Sequence, residues 1–166
     1  MLKVFITAGY IVNENDEKIS IFIKDKKIKE LNLNNRIKYT SRSRYNDTTI
    51  IEIKDEDKIV NNYLELDYKI LLNYTKKKYK GMEAYIIQYP FEELSVSFGM
   101  ILNVYDDEFE HNCFTSYGSG GSPIINLNKK VIGIHTQRDT KRDIGIGKLL
   151  IYPIEEGSLP PLVFFL

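Results

Sequence analysis

Gly118-Ser119-Gly120-Gly121-Ser122-Pro123-Ile124-Ile125 is a turn of small residues that runs through a proline into an apolar strand. Glycine reaches backbone angles closed to other residues, so such a turn folds tightly and brings its amides together. Two amides converging on one point can hold a developing oxyanion. Downstream, Asn126-Leu127-Asn128-Lys129-Lys130 reads as a hairpin with its tip at Asn128-Lys129. Val131-Ile132-Gly133-Ile134-His135 then reads as an apolar strand. A Gly/Ser turn before a strand is common, and its surroundings are what make this one specific.

Working outward, the chain alternates short apolar runs with polar turns, the pattern of an all-β sandwich or barrel. Strands are expected at Lys3–Thr7, Lys18–Lys24, Ile28–Leu33, Arg36–Thr40, Thr48–Ile53, Glu83–Tyr89, Leu94–Tyr105, Asn112–Thr115, Ser122–Leu127, Lys130–His135 and Gly147–Tyr152. Asn34-Asn35 reads as a second hairpin tip. Lys54–Lys80 is more charged and less periodic, as a connection between two lobes would be. Asp106, Asp107, Glu108 and Glu110 beside His111 read as a solvated hairpin rather than a metal site, because no second His or Cys stands at ligand spacing.

Composition narrows the function classes. Lys and Arg total 23 and Asp and Glu total 23, so the formal charge is zero. A neutral balance gives no electrostatic case for nucleic acid or an anionic membrane. Cys113 is the one cysteine, so no intrachain disulfide forms. No apolar run reaches the length of a membrane span, and Met1–Thr7 lacks the basic flank and long apolar core of a signal peptide. A cytoplasmic protein without metal or cofactor is the expectation.

Two further segments stand in order with the glycine turn. Phe5-Ile6-Thr7-Ala8-Gly9-Tyr10-Ile11-Val12 precedes Asn46-Asp47-Thr48-Thr49-Ile50-Ile51-Glu52-Ile53, and both precede Gly118. Together the three resemble trypsin-like serine proteases, especially the compact glutamyl-endopeptidase-like branch. The family's nucleophile pattern is Gly-x-Ser-Gly-Ser-Pro followed by a hairpin and a strand with Gly-Ile-His. Its base is presented by a Thr-Ala-Gly-His or Thr-Ala-Ala-His segment, and its acid precedes an apolar strand. The resemblance covers nearly the whole chain and implies a chymotrypsin-like double β-barrel.

Laid on the sequence, the resemblance puts the retained acid at Asp47, the base position at Tyr10 and the nucleophile position at Gly120. It assigns the oxyanion hole to the amides of Gly118 and Gly120. Thr115 and His135 take the places that bind the acidic side chain at the cleavage site in glutamyl-specific relatives, since a hydroxyl and an imidazole suit a carboxylate. Acyl transfer needs a hydroxyl to attack and an imidazole to take its proton. Glycine has no hydroxyl, and tyrosine, with a reference pKa of about 10, is a poor base at neutral pH. Asp47 then has no imidazole to orient, and a hydrogen bond from the Tyr10 hydroxyl is expected in its place. The resemblance thus implies an inactive protease homologue, a pseudoenzyme that binds peptide or protein. Two alternatives stand beside it: an active serine endopeptidase cleaving after Glu or Asp, and a degenerate fragment without selected activity.

The expected lobes are residues 1–75 and 76–166. Family members carry several dozen residues ahead of the base, whereas only Met1–Gly9 precede Tyr10. The resemblance therefore implies a truncated N-terminal barrel, whose unpaired strand edges favour self-association. The apolar tail Leu162-Val163-Phe164-Phe165-Leu166 is expected to cover that opening or to pair with another molecule.

Overall fold

β-Branched and aromatic residues supply most of the short apolar runs, and such side chains pack well on a pleated surface. The computed structural model describes residues 3–12, 15–23, 26–41, 47–59, 63–72, 76–151, 153 and 163–164. Its strands are β1 (Lys3–Thr7), β2 (Lys18–Ile23), β3 (Lys26–Asn32), β4 (Ile37–Ser41), β5 (Thr48–Ile53), β6 (Leu64–Leu66) and β7 (Glu83–Gln88). They continue as β8 (Ser95–Val104), β9 (Glu108–His111), β10 (Pro123–Asn126), β11 (Lys130–Asp139), β12 (Ile144–Leu149) and β13 (Val163–Phe164). Among the described residues no helix is long and apolar enough to cross a membrane.

The pairing order β10-β7-β8-β9-β12-β11, with β10 bonded again to β11, closes six strands into a barrel. Ile86, Ile101, Phe109, Ile124 and Leu149 are buried within it. Burying a side chain of this size stabilises by about 1.5–3 kcal/mol. The Phe109 ring fits because β12 beside it and β11 beyond carry no side chain there. Cβ atoms on Gly133 and Gly147 would come within 2.7 and 2.4 Å of it. Large against small is how a narrow barrel fills its interior.

From β11 the sheet continues through β6, β13, β1 and β5 to β4. β6 runs parallel to β11, pairing Glu65 with Lys130, and β13 lies between β6 and β1. Among the described residues these strands do not close on themselves, and β4 pairs only with β5. The β2–β3 hairpin stands apart as a two-stranded sheet. A small core of Val12, Leu33 and Ile51, with Phe5, Ile19 and Ile37 against it, packs this half. Arg36 clamps it from outside, donating to both carboxylate oxygens of Asp57 at 2.6 and 3.0 Å, while the Lys54 amide donates at 2.7 Å. Burial alone would raise the Asp57 carboxyl. The Arg36 and Lys54 hydrogen bonds outweigh it and hold the group below the ordinary carboxylate range.

Most expected strands are present within a few residues of their ends, and β1 and β5 match at both ends. The hairpin tip at Asn128-Lys129 is present between β10 and β11, whereas Asn34-Asn35 makes a turn but no hairpin, because β3 pairs with β2 and β4 with β5; both turns carry left-handed backbone, at Asn35 and Lys129. One strand assignment is wrong: the strand expected at Asn112–Thr115 lies at β9 instead. The acidic run does turn a hairpin, between β8 and β9 with Asp106 exposed at its tip, but it is not solvated throughout, for Glu110 and His111 are buried. Its charges are met from distant sequence. Buried Lys148 donates to Asp107 and Glu108, and Glu110 accepts from Arg142 and Asn103 at 2.7 Å each. Among its described residues the Lys54–Lys80 connection carries β6 and three short 3-10 turns. Of the tail, Val163 and Phe164 form β13, which supplies the bridge between the two halves of the sheet; residues 162, 165 and 166 lie outside the described ones.

Candidate active site

The turn between residues 116 and 122 is built on backbone only glycine adopts easily. Gly118 has φ 92°, and a Cβ there would meet the Tyr89 carbonyl oxygen at 2.6 Å. The turn is tied by its own hydrogen bonds. Ser119 N donates to Ser116 O at 3.0 Å, Ser122 N to Ser119 O at 3.2 Å, and Gly121 N to the His135 carbonyl at 2.8 Å. None of these uses the Gly118 or Gly120 amide. The Ser119 side chain is buried, and its Oγ accepts from the Ser116 amide at 3.0 Å. It holds the turn together and does not face the cleft.

After β1 the chain turns at once, with Ile11 N donating to Ala8 O at 3.0 Å. That turn carries Tyr10 to Gly120. A Cβ on Gly120 would stand 1.7 Å from the Tyr10 hydroxyl oxygen and 2.8 Å from its Cζ. Tyr10 is 59% exposed, yet its hydroxyl occupies the space a side chain at Gly120 would need. Asp47 lies behind, its Oδ1 2.9 Å from where a Cβ on Gly9 would be. Desolvation first, and the Asp47 charge second, raise the Tyr10 hydroxyl above its ordinary pKa. The link between Tyr10 and Asp47 expressed in that shift is one of charge, with the hydroxyl directed at Gly120. The structure thus brings the three sequence-assigned positions together at one place.

From Tyr10, Ile11, Gly118 and Gly120 a cleft of about 770 Å³ runs along Phe114–Tyr117 to His135, Thr136, Gln137 and Arg138. Thr115 and His135 are both in its wall and both buried. His135 Nδ1 lies 3.1 Å from Nε2 of His111, which is fully buried behind it. His111 Nδ1 has no hydrogen-bond partner. An orphaned lone pair costs less there than an orphaned N–H. The hydrogen-bond pattern therefore assigns the His111 proton to Nε2, donating to His135 Nδ1, and leaves the His135 proton on Nε2. Burial lowers the His135 pKa to about 4, with the charge of Arg138 second. Burial, then His135 and Arg138, lower that of His111 to about 3. Both rings are neutral at pH 7, so His135 offers a carboxylate a hydrogen bond but no charge.

Among solved structures, a serine endoprotease from Yersinia pestis superposes with a TM-score of 0.64 at 14% identity, over 92% of this chain and 51% of that one. A Glu endopeptidase superposes with a TM-score of 0.67 at 14% identity, over 93% of this chain and 79% of that one. The serine protease of human pathogenic astrovirus gives 0.64 at 18% identity, over 87% and 75%. The fold is that of chymotrypsin-like serine proteases. The chain spans about half the length of the Yersinia structure. No family model matches the sequence, and no curated protein matches it.

Within this chymotrypsin-like fold, sequence reasoning carries Thr136, Gln137 and Arg138 toward the substrate edge but does not place His111 or Arg138 at the pocket itself. His111 was legible in principle: it alternates with Phe109, which points into the barrel. The acidic neighbours masked that alternation. The facing of Arg138 was not legible, because a β-bulge between His135 and Gln137 slips the inward–outward alternation by one. The slip puts Arg138 on the side of His135, where its Nη1 donates to Thr115 Oγ1 at 3.2 Å and its guanidinium lies 5.6 Å from the Phe114 ring centroid.

Proposed function

We propose that this chain is a serine protease homologue that binds peptide or protein segments and does not cleave them, seating an acidic side chain against Thr115 and His135. The observation that carries the reading is the fit of Tyr10 to Gly120, where the hydroxyl fills the space of the missing side chain. A nucleophile there is both absent and sterically replaced. The phenol, with its pKa raised, takes up no proton at neutral pH. Ser119, which directly precedes Gly120, is buried and bonded to Ser116. An acyl-transfer mechanism thus lacks both its attacking atom and its base.

What supports retained binding is the other end of the cleft. Thr115 and His135 keep polar atoms in the cleft wall, and the Gly118 and Gly120 amides stay outside the turn's own hydrogen bonds. Asp47, the retained acid of the resemblance, acts here as a charge behind Tyr10. The partner is a peptide or protein, with neither nucleic acid nor membrane involved. Self-association through strand edges belongs to the same proposal. Labelling with a fluorophosphonate tests the inactive reading. No covalent adduct is expected, and stoichiometric labelling would overturn it. Tyr10→His with Gly120→Ser is the matched control that restores a base and a nucleophile.

A further inference from the structure

Both histidines of the pocket are neutral, so the fixed positive charge of this wall comes from Arg138. Its side chain is only 20% exposed and sits between Thr115 and Phe114. Its Nη2 is held by Asp143, which lies in the turn between β11 and β12 and also lines the cleft. The Asp143 side chain is 82% exposed. One carboxylate therefore already sits on the guanidinium at the mouth of a pocket suited to carboxylates.

We propose that Arg138 is the residue that selects an acidic side chain in this cleft, and that Asp143 holds its place until an acidic ligand displaces it. The proposal rests on the peptide-binding reading above and adds to it the group that supplies charge and the group that competes for it. The chemistry favours Arg138. A guanidinium presents a planar fork that matches a carboxylate bidentately, which a neutral imidazole does not. Phe114 under the fork and Thr115 at one end fix its plane before a ligand arrives, which lowers the ordering cost of binding. The chemistry also makes Asp143 replaceable. An exposed ion pair is weak, and this one is closed across a surface turn. A ligand carboxylate entering beside Thr115 is shielded from water and gains a second donor from His135, whereas Asp143 stays in solvent. The arrangement favours Glu and Asp over Gln and Asn at that position, and it keeps an unfilled pocket from exposing a bare guanidinium.

The test uses the intact chain and two fluorescein-labelled hexapeptides that differ only in a central Glu or Gln, read by anisotropy. Wild type is expected to prefer the Glu peptide. Arg138→Gln is expected to remove that preference, a loss of about tenfold or more in Glu-peptide affinity. Arg138→Lys keeps the charge without the fork and is expected to restore part of the preference. Asp143→Asn is expected to strengthen Glu-peptide binding about two- to fivefold and to leave the Gln peptide unchanged. A merely structural role for the pair would weaken both peptides in all three variants. Retained Glu preference in Arg138→Gln, or no gain in Asp143→Asn, would overturn the proposal while leaving peptide binding intact. If wild type binds neither peptide, the binding reading fails, and the proposal falls with it.

Discussion

The two ends of the cleft share walls and differ in what their side chains can do. At one end Tyr10 and Gly120 fit each other sterically and have neither nucleophile nor base. At the other, Thr115, His135 and Arg138 are held by His111, Asp143 and Phe114 in an arrangement of donors. The first end is a closed contact on an exposed ring, and the second is a buried polar network. Buried networks are costly when broken, whereas an exposed contact at the tip of a flexible side chain is cheap to rearrange. The contrast separates the proposed loss of chemistry from the proposed recognition, and it predicts where substitutions and pH will be felt.

The largest effect is expected from pH. His111 and His135 have folded pKa values below the ordinary 6.5, so the unfolded chain takes up protons that the folded one refuses. Their contribution is complete above about pH 6.5 and is lost as pH falls toward 4. The slope is about 1.4 kcal/mol per histidine per pH unit. Denaturant melts at pH 7, 6 and 5 are expected to show falling stability, and an H111Q/H135Q variant a flatter profile. A wild-type profile flat across that window would mean the pocket end is not a buried network.

Next in size is His135→Ala. It removes the partner of His111 Nε2 in a site where Nδ1 already has none. A cost of about 1–3 kcal/mol is expected in thermal or denaturant melts, together with weaker Glu-peptide binding. Unchanged stability would show that the histidine pair is not formed.

How much of this contrast was legible in sequence follows from the nature of each end. The Tyr10–Gly120 end lies in three local segments whose residue types carry their own turn and strand signals, so the glycine turn and strand β5 were readable. The pocket end depends on contacts between distant strands. β9 was misplaced because its acidic side chains find Lys148 and Arg142 far along the chain. The contact of Arg138 with Thr115 was not readable because a bulge, which leaves no mark in the alternation of residue types, decides which way it faces. The bridge made by β6 and β13 was missed in part for the same reason, since two or three residues carry no periodicity.

The smallest effect is expected at the Tyr10 end. Gly120→Ala places a Cβ against the Tyr10 hydroxyl, but that ring is 59% exposed and can swing aside. A cost of about 1 kcal/mol or less is expected. It should vanish in a Tyr10→Ala background, a double-mutant cycle that measures the contact itself. A larger cost that persists without Tyr10 would place the steric conflict elsewhere in the turn.

The claim that recognition outlives chemistry is tested most directly by one sample. The chain at a concentration that saturates a Glu-containing peptide is held at neutral pH for a day, and the same mixture is then analysed by mass spectrometry. Saturable binding with every peptide molecule intact is the predicted result. Peptide cut on the carboxyl side of Glu, absent from a Tyr10→Ala control, would contradict it.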